Sequence, residues 1–434
     1  MKPHTLGISL SGGGYRASAF HLGTLKKLHE LGILQKAEVL STISGGSITG
    51  AAWCLSGSDY ETFHDEMVLK LKTKSVIRYI FSSWIFIRSA LFLVIFLIGA
   101  LILTFTCYAF LAFPVLIVFF ILFFKFQYSI FPVSKVIEKA YDDFFYKKST
   151  LKDLKPSPIL AIGSSNLHTG RPFTFSQKKM SDSSYVFREE FNPPIYFKHE
   201  NFPVARAVMA SSCVPFAFTP ISIDQEFYAD PADYKRIRPM LVDGGVYDNQ
   251  GIQKLTQVGS SYACEMVITS DAGGNFVADK TYTNVIALLL RTVDLFMYRI
   301  KTFQMSKNLY QPADVKRNQV AYLSLGWRIQ NCIPGFVNNM INNMISKEIL
   351  DAHRLKPEWI SDPAKYNNEI REHLEKEVHY KEILSRDLTD AEWEHVRVTE
   401  TNLRALPEKT VNDLIRHAEN LTELQVRLYC PGIL

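Results

Sequence analysis

The stretch Ser41-Thr-Ile-Ser-Gly-Gly-Ser47 decides how the rest of this 434-residue chain is interpreted. Residues 37–43 before its serine form an apolar run typical of a strand, and residues 48–53 after it have the pattern of a helix start. A serine followed by glycines between a strand and a helix is the layout of a nucleophile elbow, a tight turn that exposes a reactive hydroxyl. The pattern makes Ser44 a candidate nucleophile.

Gly45 and Gly46 satisfy the need of such a turn for residues almost without side chains. Thr42 stands where nucleophile elbows usually carry glycine, so the match to the motif is incomplete. Ser47 is the rival nucleophile, although it is expected one turn into the helix and therefore less accessible.

A second glycine-rich segment, Gly12-Gly-Gly14, lies between a predicted strand at residues 5–10 and a predicted helix at residues 17–31. Bare backbone amides at a helix N-terminus favour negative charge. A phosphate loop would also require Lys-Ser or Lys-Thr after the glycines, and neither is present. An oxyanion hole requires only backbone donors close to a nucleophile. We therefore expect the amides of Gly12, Gly13 and Gly14 to form one. Arg16 is expected to stabilise this loop, to face an anionic part of the substrate, or to lie on the surface.

Composition excludes several classes of function. The net charge of +5 is weak, and no basic stripe interleaved with aromatic residues indicates nucleic acid. The six cysteines form no C-x-x-C pair or His/Cys cluster, which argues against structural zinc and a disulfide framework and favours a reducing compartment. The sequence predicts no metal and no cofactor. Because no signal peptide precedes the first strand, the catalytic part is expected in the cytoplasm.

Residues 89–124 contain no charged side chain and consist mostly of Leu, Ile, Phe and Val. About 20 apolar residues suffice for one membrane-spanning helix, and this segment is nearly twice as long. Basic residues lie on both sides, which places both ends in the cytoplasm. They are Lys70, Lys72, Lys74, Arg78 and Arg88 before the segment, and Lys125, Lys135, Lys139, Lys147 and Lys148 after it.

The segment is therefore predicted to form a hairpin that returns to the side from which it starts. Residues 104–108 and Pro114 are candidates for the turn. Because each arm would have only about 17 residues, near the lower limit for spanning, a deeply inserted re-entrant hairpin remains an alternative.

Beyond the hairpin, strands and helices alternate up to about residue 275, which favours an α/β sheet core. The predicted organisation has four parts: residues 1–78, the first part of a catalytic core; 79–130, the hairpin; 131–275, the second part of the core; and 276–434, a mainly helical lid or interaction surface. In the last part we expect helices at residues 284–309, 337–351 and 409–427.

Three motifs in this order, Gly12-Gly-Gly14-x-Arg16, Ser44-Gly-Gly46 and Asp243-Gly-Gly245, resemble the patatin-like phospholipase family, in its bacterial type with a transmembrane hairpin insertion. Further similarities are Ala210-Ser-Ser-Cys-Val-Pro215 and the segment from Asn166 to Phe173. The resemblance covers roughly residues 5–75 and 155–275. It implies a three-layer α/β/α sheet core.

Carried over to this sequence, the resemblance implies a Ser44–Asp243 dyad, with the glycine loop as oxyanion hole. Gly244 and Gly245 would hold Asp243 in a tight turn, and burial of its carboxylate would make it a base. Asp271 and Asp248 are the rival acids. The sequence leaves open a Ser–His–Asp triad, and it favours an ordinary helical role for His21.

The function predicted from these observations is a membrane-attached serine lipid acyl hydrolase, phospholipase A-like, acting at the inner or cell membrane on phospholipids or related acyl lipids. One alternative is a non-catalytic membrane scaffold, for which Ser44, Asp243 and the three glycines would be unnecessary. Another is a regulated membrane-damaging defence effector, as in some bacterial relatives of the family. The sequence does not indicate an oligomeric state or an activating partner.

Overall fold

The computed structural model describes residues 3–273, 281–315 and 318–434. In this part of the chain, eight strands form one mixed sheet in the order β5-β4-β3-β2-β1-β7-β8, with β6 paired to β3. The strands are β1 (His4–Leu10), β2 (Val39–Thr42), β3 (Ile159–Asn166), β4 (Arg171–Phe175), β5 (Met180–Ser181), β6 (Leu241–Asp243), β7 (Cys264–Asp271) and β8 (Gln319–Ser324). The strands β3, β2, β1, β7 and β8 are parallel, and β4, β5 and β6 are joined antiparallel.

Helices surround the sheet. Those before β3 are α1 (Gly14–Glu30), α2 (Gly45–Leu55), α3 (Tyr60–Thr73), α4 (Val76–Ser82), α5 (Trp84–Leu103), α6 (Ala112–Ile130) and α7 (Val133–Tyr141). Those between β5 and β8 are α8 (Ser184–Phe187), α9 (Val204–Ser211), α10 (Asp233–Arg236), α11 (Gly245–Asp248), α12 (Gln253–Thr256) and α13 (Val285–Leu309). The last are α14 (Cys332–Ile341), α15 (Lys347–Ala352), α16 (Pro357–Ser361), α17 (Asn367–Glu377), α18 (Tyr380–Ser385), α19 (Asp390–Val398) and α20 (Glu408–Tyr429).

The sheet separates two hydrophobic cores, because successive side chains of a strand point to opposite faces. In β3, Leu160 and Ile162 belong to the larger core, which α1, α2, α9 and α20 cover. Ile159 and Ala161 face the smaller core, to which α12 and the end of α13 contribute Leu255 and Leu309. The predicted α/β/α core is confirmed.

The C-terminal half is more than a helical cap. Its strand β8 extends the sheet by pairing in parallel with β7, and α20 packs along α1 in the larger core. The expected helix at residues 337–351 is two helices, α14 and α15, separated by a turn. The expected helices at residues 284–309 and 409–427 correspond to α13 and α20. The predicted boundary at residues 275–276 lies outside the described residues.

Helices α5 and α6 form an antiparallel apolar hairpin. By length and composition, α5 (mean hydropathy 2.7) and the segment Ala109–Tyr146 (mean hydropathy 2.6), which contains α6, could each cross a membrane. Phe119 of α6 packs between Phe92 and Phe96 of α5, while most other side chains of the hairpin are exposed. The turn follows α5 at Thr104, as expected, but Pro114 lies in the first turn of α6, where proline is tolerated.

Candidate active site

Ser44 lies in a strained turn between β2 and α2. Its backbone has φ 47° and ψ −115°, a conformation unusual for a residue with a side chain. Such strain is the mark of a nucleophile elbow. Thr42, the departure from the usual motif, fits because Gly50 leaves room for its methyl group: a Cβ at Gly50 would lie 2.6 Å from Thr42 Cγ2. The Thr42 hydroxyl accepts a hydrogen bond from Ser47 Oγ at 3.0 Å.

Close backbone contacts explain the glycines beside Ser44. A Cβ at Gly45 would lie 2.2 Å from the carbonyl oxygen of Gly14, and one at Gly46 would lie 2.3 Å from that of Leu10. Any side chain here would push α2 away from the glycine loop. The glycines therefore bring the loop of Gly12, Gly13 and Gly14 against the elbow.

The structure separates the two candidate serines. Ser44 lines a cavity of about 380 Å³. Ser47 is fully buried, and its hydroxyl bonds with Thr42 and lies 2.9 Å from Ser211 Oγ. The position of Ser47 in α2 agrees with the lower accessibility expected for it.

Asp243 is the last residue of β6 and lines the same cavity as Ser44. Its carboxylate accepts a hydrogen bond from the Gly245 N–H at 2.7 Å. The turn after it is tight, because a Cβ at Gly244 would lie 2.4 Å from the carbonyl oxygen of Gly163 in β3. The antiparallel pairing of β6 with β3 thus carries the carboxylate to the elbow, although the hairpin lies between the two residues in sequence.

The environment of Asp243 prepares it to accept a proton. Burial raises the pKa of its carboxyl group to about 6, although the Gly245 amide and the Ser44 hydroxyl, which both donate to the carboxylate, oppose the shift. A carboxylate whose pKa lies near neutrality is a better general base than an ordinary aspartate.

The two rival acids have other partners. Asp271 Oδ2 forms an ion pair of 2.5 Å with Lys301 Nζ and accepts a hydrogen bond of 2.6 Å from the Tyr322 hydroxyl. Although burial alone raises its pKa, the Lys301 ammonium and these hydrogen bonds lower it overall. Asp248 accepts the Gln253 amide at 2.8 Å and does not line the cavity. Asp271 is thus neutralised by Lys301. Burial raises the pKa of Asp248 to about 6, as it does for Asp243, so Asp248 is distinguished from Asp243 by its position outside the cavity lining.

The glycine loop offers fewer free donors than the sequence predicts. The Gly12 amide donates to the carbonyl oxygen of Asn249 at 3.0 Å, so it is engaged within the protein. The amides of Gly13 and Gly14, at the start of α1, have no hydrogen-bond partner among residues 3–273, 281–315 and 318–434, and neither has the amide of Gly45. These three amides are the candidate oxyanion donors.

Arg16 and His21 support the glycine loop from beneath. Arg16 is buried, and its guanidinium donates to the carbonyl oxygens of Thr399 at 2.8 Å and Ala272 at 2.9 Å. Arg16 therefore does not lie on the surface; it holds this loop and also lines the cavity, so both of its other predicted roles remain predictions. His21 is fully buried, with Nε2 2.9 Å from the Ser11 carbonyl oxygen and Nδ1 2.8 Å from Ser270 Oγ. Burial lowers the pKa of His21 to about 4, so it is neutral at pH 7.

Of the side chains that could act as a base, Asp243, Asp294 and Lys301 line the cavity, and Lys301 is ion-paired with Asp271. All 11 histidines lie in the described part of the chain, and none lines the cavity. Gln250 lines the cavity while almost fully buried, and in the described structure neither atom of its side-chain amide has a hydrogen-bond partner. Gln250 is available to a bound molecule, a feature for which the sequence carried no signal.

Ser211, at the end of α9, links the elbow to the acid and was not singled out from the sequence. Its Oγ accepts a hydrogen bond from the Ser44 N–H at 2.9 Å and donates one to the Gly163 carbonyl oxygen at 2.6 Å. The backbone carbonyl oxygen of Ser211 accepts a hydrogen bond from the Gly244 N–H at 3.1 Å. Only its position in the segment Ala210-Ser-Ser-Cys-Val-Pro215 pointed to it.

A family model of patatin-like phospholipases matches residues 8–255, which contain the elbow, the glycine loop and Asp243. The chain belongs to the patatin-like phospholipase family. Membership implies lipid acyl hydrolase activity and a lipid substrate, and the mixed sheet between helices is the patatin fold. A comparison with curated proteins gives no match.

Solved structures of phospholipases are among those similar to the chain. Human GIVD cytosolic phospholipase A2 has 14% identity over 62% of this chain and 42% of its own, with a TM-score of 0.38. The same enzyme in complex with methyl gamma-linolenyl fluorophosphonate and terbium chloride has 13% identity over 98% of this chain and 58% of its own, with a TM-score of 0.42. VipD from Legionella pneumophila has 10% identity over 97% of this chain and 92% of its own, with a TM-score of 0.30. The chain thus spans about half the length of the human phospholipase.

Proposed function

We propose that this patatin-like protein is a membrane-attached serine hydrolase that cleaves fatty-acyl esters of phospholipids, with phospholipase A-like action. The observation that carries the proposal is the pairing of a strained, cavity-lining Ser44 with the buried carboxylate of Asp243. A non-catalytic scaffold would require neither the backbone strain nor the buried acid.

In the proposed reaction, Ser44 Oγ attacks the ester carbonyl carbon while Asp243 accepts the hydroxyl proton. The tetrahedral intermediate collapses to an acyl-serine, and the proton passes from Asp243 to the departing alcohol oxygen. Water then attacks the acyl-serine, gives its proton to Asp243 and releases the fatty acid, after which the proton returns to Ser44.

The charge that develops on the carbonyl oxygen requires donors that are in place beforehand. The amides of Gly13, Gly14 and Gly45 are unpartnered in the described structure and adjoin the elbow. The N-terminus of α1 adds the positive end of a helix dipole. Loss of one such donor typically costs on the order of 3 kcal/mol of transition-state stabilisation.

We further propose that α5 and α6 fasten the enzyme to the inner or cell membrane, with the catalytic domain in the cytoplasm. The two ends of the hairpin meet, because Arg88 Nη2 and Ser89 Oγ both donate to the carbonyl oxygen of Ile130. The strands before and after the hairpin also share one sheet. Both observations support a hairpin whose ends lie on one side of a bilayer, and the basic residues at these ends support the cytoplasmic side.

The test is fatty-acid release from phospholipid vesicles that contain the full-length protein. We expect Ser44→Ala to lower the rate at least about a thousandfold, without changing the amount of protein in the vesicles. Ser47→Ala serves as the matched control and should stay within about tenfold of the wild type. Hydrolysis at the wild-type rate by purified Ser44→Ala protein would refute the assignment.

A further inference from the structure

Helix α13 exposes an apolar side, which is unusual for a helix on a water-soluble surface. The side that lines the cavity is mixed, with Arg291, Asp294, Tyr298 and Lys301 beside Leu290, Val293 and Met297. The opposite side carries apolar residues at helical spacing, each 47–72% exposed. They are Val285, Leu288, Leu289, Leu295, Phe296 and Phe303.

An ordinary surface helix turns its apolar stripe toward the core and its charges toward water. In α13, the charged residues Asp294 and Lys301 lie on the cavity side, and the apolar side is exposed in the described structure. The single acidic residue of α13, Asp294, lies on the cavity side, while Arg299 is exposed. The outward side therefore combines apolar contact area with positive charge, the composition of a helix that lies in the interface of a bilayer.

The position of α13 is fixed by its C-terminal end. Leu309 and Met305 pack into the smaller core, and Lys301 is paired with the buried Asp271. The N-terminal part of α13 extends from this anchor over the mouth of the cavity, to which it contributes Leu290 and Met297.

The same mouth is joined directly to the base of the hairpin. Val214 and Pro215 line the same cavity as α13, and the next residue, Phe216, is 67% exposed. Four residues beyond the end of α6, Ser134 Oγ donates to the carbonyl oxygen of Thr219, in the same short loop, at 2.6 Å. The point where the hairpin leaves the domain and the rim of the cavity thus belong to one connected structure.

We propose that the outward side of α13 (Val285, Leu288, Leu289, Leu295, Phe296 and Phe303) lies in the surface of the bilayer that holds the hairpin. The enzyme then has two attachments, a spanning one and an interfacial one. Between them, the loop of Val214 and Phe216 opens the cavity toward the lipids. A lipid would pass from the bilayer to Ser44 along the cavity side of α13 without crossing water.

This inference rests on the proposed attachment by the hairpin, but not on hydrolysis. The test uses full-length protein in phosphatidylcholine nanodiscs, with Phe296→Cys in a Cys107→Ser background, since Cys107 is the one exposed native cysteine. The new thiol carries an environment-sensitive fluorophore. Val258→Cys is the control. Val258 is 72% exposed, but it lies in the loop before β7, at the N-terminal end of the parallel strands and thus away from the cavity.

We expect doxyl-labelled lipid to quench the fluorophore at position 296 and iodide in solution to leave it bright, with the opposite result at position 258. Equal quenching by iodide at both positions would overturn the proposal. So would a fluorophore shielded from both quenchers together with cross-linking between two copies at position 296, because a second protein molecule would then cover the helix.

A second measurement separates surface contact from chemistry. Leu289→Asp combined with Phe296→Asp should lower the ratio of vesicle hydrolysis to hydrolysis of a dissolved short-chain ester at least about tenfold. An unchanged ratio would also overturn the proposal. The fluorescence experiment needs no turnover. It therefore tests the contact between α13 and the bilayer independently of whether the protein hydrolyses lipid.

Discussion

The backbone of Ser44 is held by groups that are distant in sequence. Ser211, 167 residues away, accepts its amide hydrogen bond and is itself fixed to the Gly163 carbonyl oxygen of β3. Tyr141 contacts the neighbouring Ser212, which donates to Val208 within its own helix. The elbow is therefore locked by Ser211 in particular, and not by the segment as a whole.

Ser211→Ala is expected to leave the Ser44 amide and the Gly163 carbonyl group buried without partners. Each such loss costs about 1–3 kcal/mol, so the variant should unfold at lower denaturant concentration and react more slowly with a fluorophosphonate. Ser212→Ala is the matched control, since its hydroxyl does not touch the elbow. A Ser211→Ala protein that is labelled at the wild-type rate would contradict the role given to Ser211.

The pH dependence of hydrolysis reports on Asp243. Because burial raises the pKa of this group to about 6 and only the ionised form can accept a proton, kcat/KM for a dissolved ester should rise as the pH rises through about 6 and then level off. Asp243→Asn should lose this rise together with most of the activity. A wild-type profile that is flat between pH 5 and pH 7, or that falls, would exclude Asp243 as the base.

The motif residues could be predicted from sequence because each motif is local. Ser44 was a candidate from its own glycine-flanked turn, and Asp243 was a candidate from the resemblance to the patatin-like family; the structure brings both to one cavity. The amide of Gly12 looked equivalent to those of its neighbours, since its bond to Asn249 depends on a contact between distant segments. The roles of Ser211 and Gln250 were missed for the same reason.

Helix α13 illustrates both what the pattern of an element reveals and what it conceals. Its bounds were predicted within one residue, because capping by Asn284 and helical composition are local features. Its exposed apolar side can be interpreted only once the cavity beneath the helix is known. Strand β8 was not predicted, since six residues of mixed polarity give a weak signal, and its assignment depends on pairing with β7.

The ion pair between Lys301 and Asp271 is expected to hold α13 over the cavity. Lys301→Met would leave Asp271 buried without its cation, which typically lowers the free energy of unfolding by about 3–5 kcal/mol. Combining it with Asp271→Asn removes the stranded charge and should recover much of that loss. The measurement is denaturant unfolding, with hydrogen exchange of α13 as a local reading. A double variant no more stable than Lys301→Met alone would show that the pair does not anchor the helix.

The whole molecule combines a catalytic sheet with a hairpin inserted between its strands. The composition of the hairpin was evident from sequence, but the lengths of its arms were not. Helices α5 and α6 have 20 and 19 residues, but α5 includes Arg88 near its start and α6 is kinked at Phe126, next to Lys125. The straight, uncharged part of each arm is therefore shorter than the ~30 Å core of a bilayer, and both a spanning and a re-entrant hairpin fit these helices.

Cys107, in the turn between α5 and α6, tests this topology without any engineered residue. If the hairpin spans, a membrane-impermeant maleimide should label Cys107 only from the side opposite the catalytic domain, because the other five cysteines are buried. Cys107→Ser protein provides the background. In sealed vesicles with the catalytic domain inside, absence of labelling from outside would favour the re-entrant alternative.

The account depends most on Ser44 being activated by Asp243. The most direct measurement is fluorophosphonate labelling of the full-length protein in membranes, followed by mass spectrometry of its peptides. We expect one adduct, on Ser44, and at least about a hundredfold slower labelling of Asp243→Asn protein. An adduct on Ser47, or equal labelling with and without the Asp243 carboxylate, would contradict the proposed dyad.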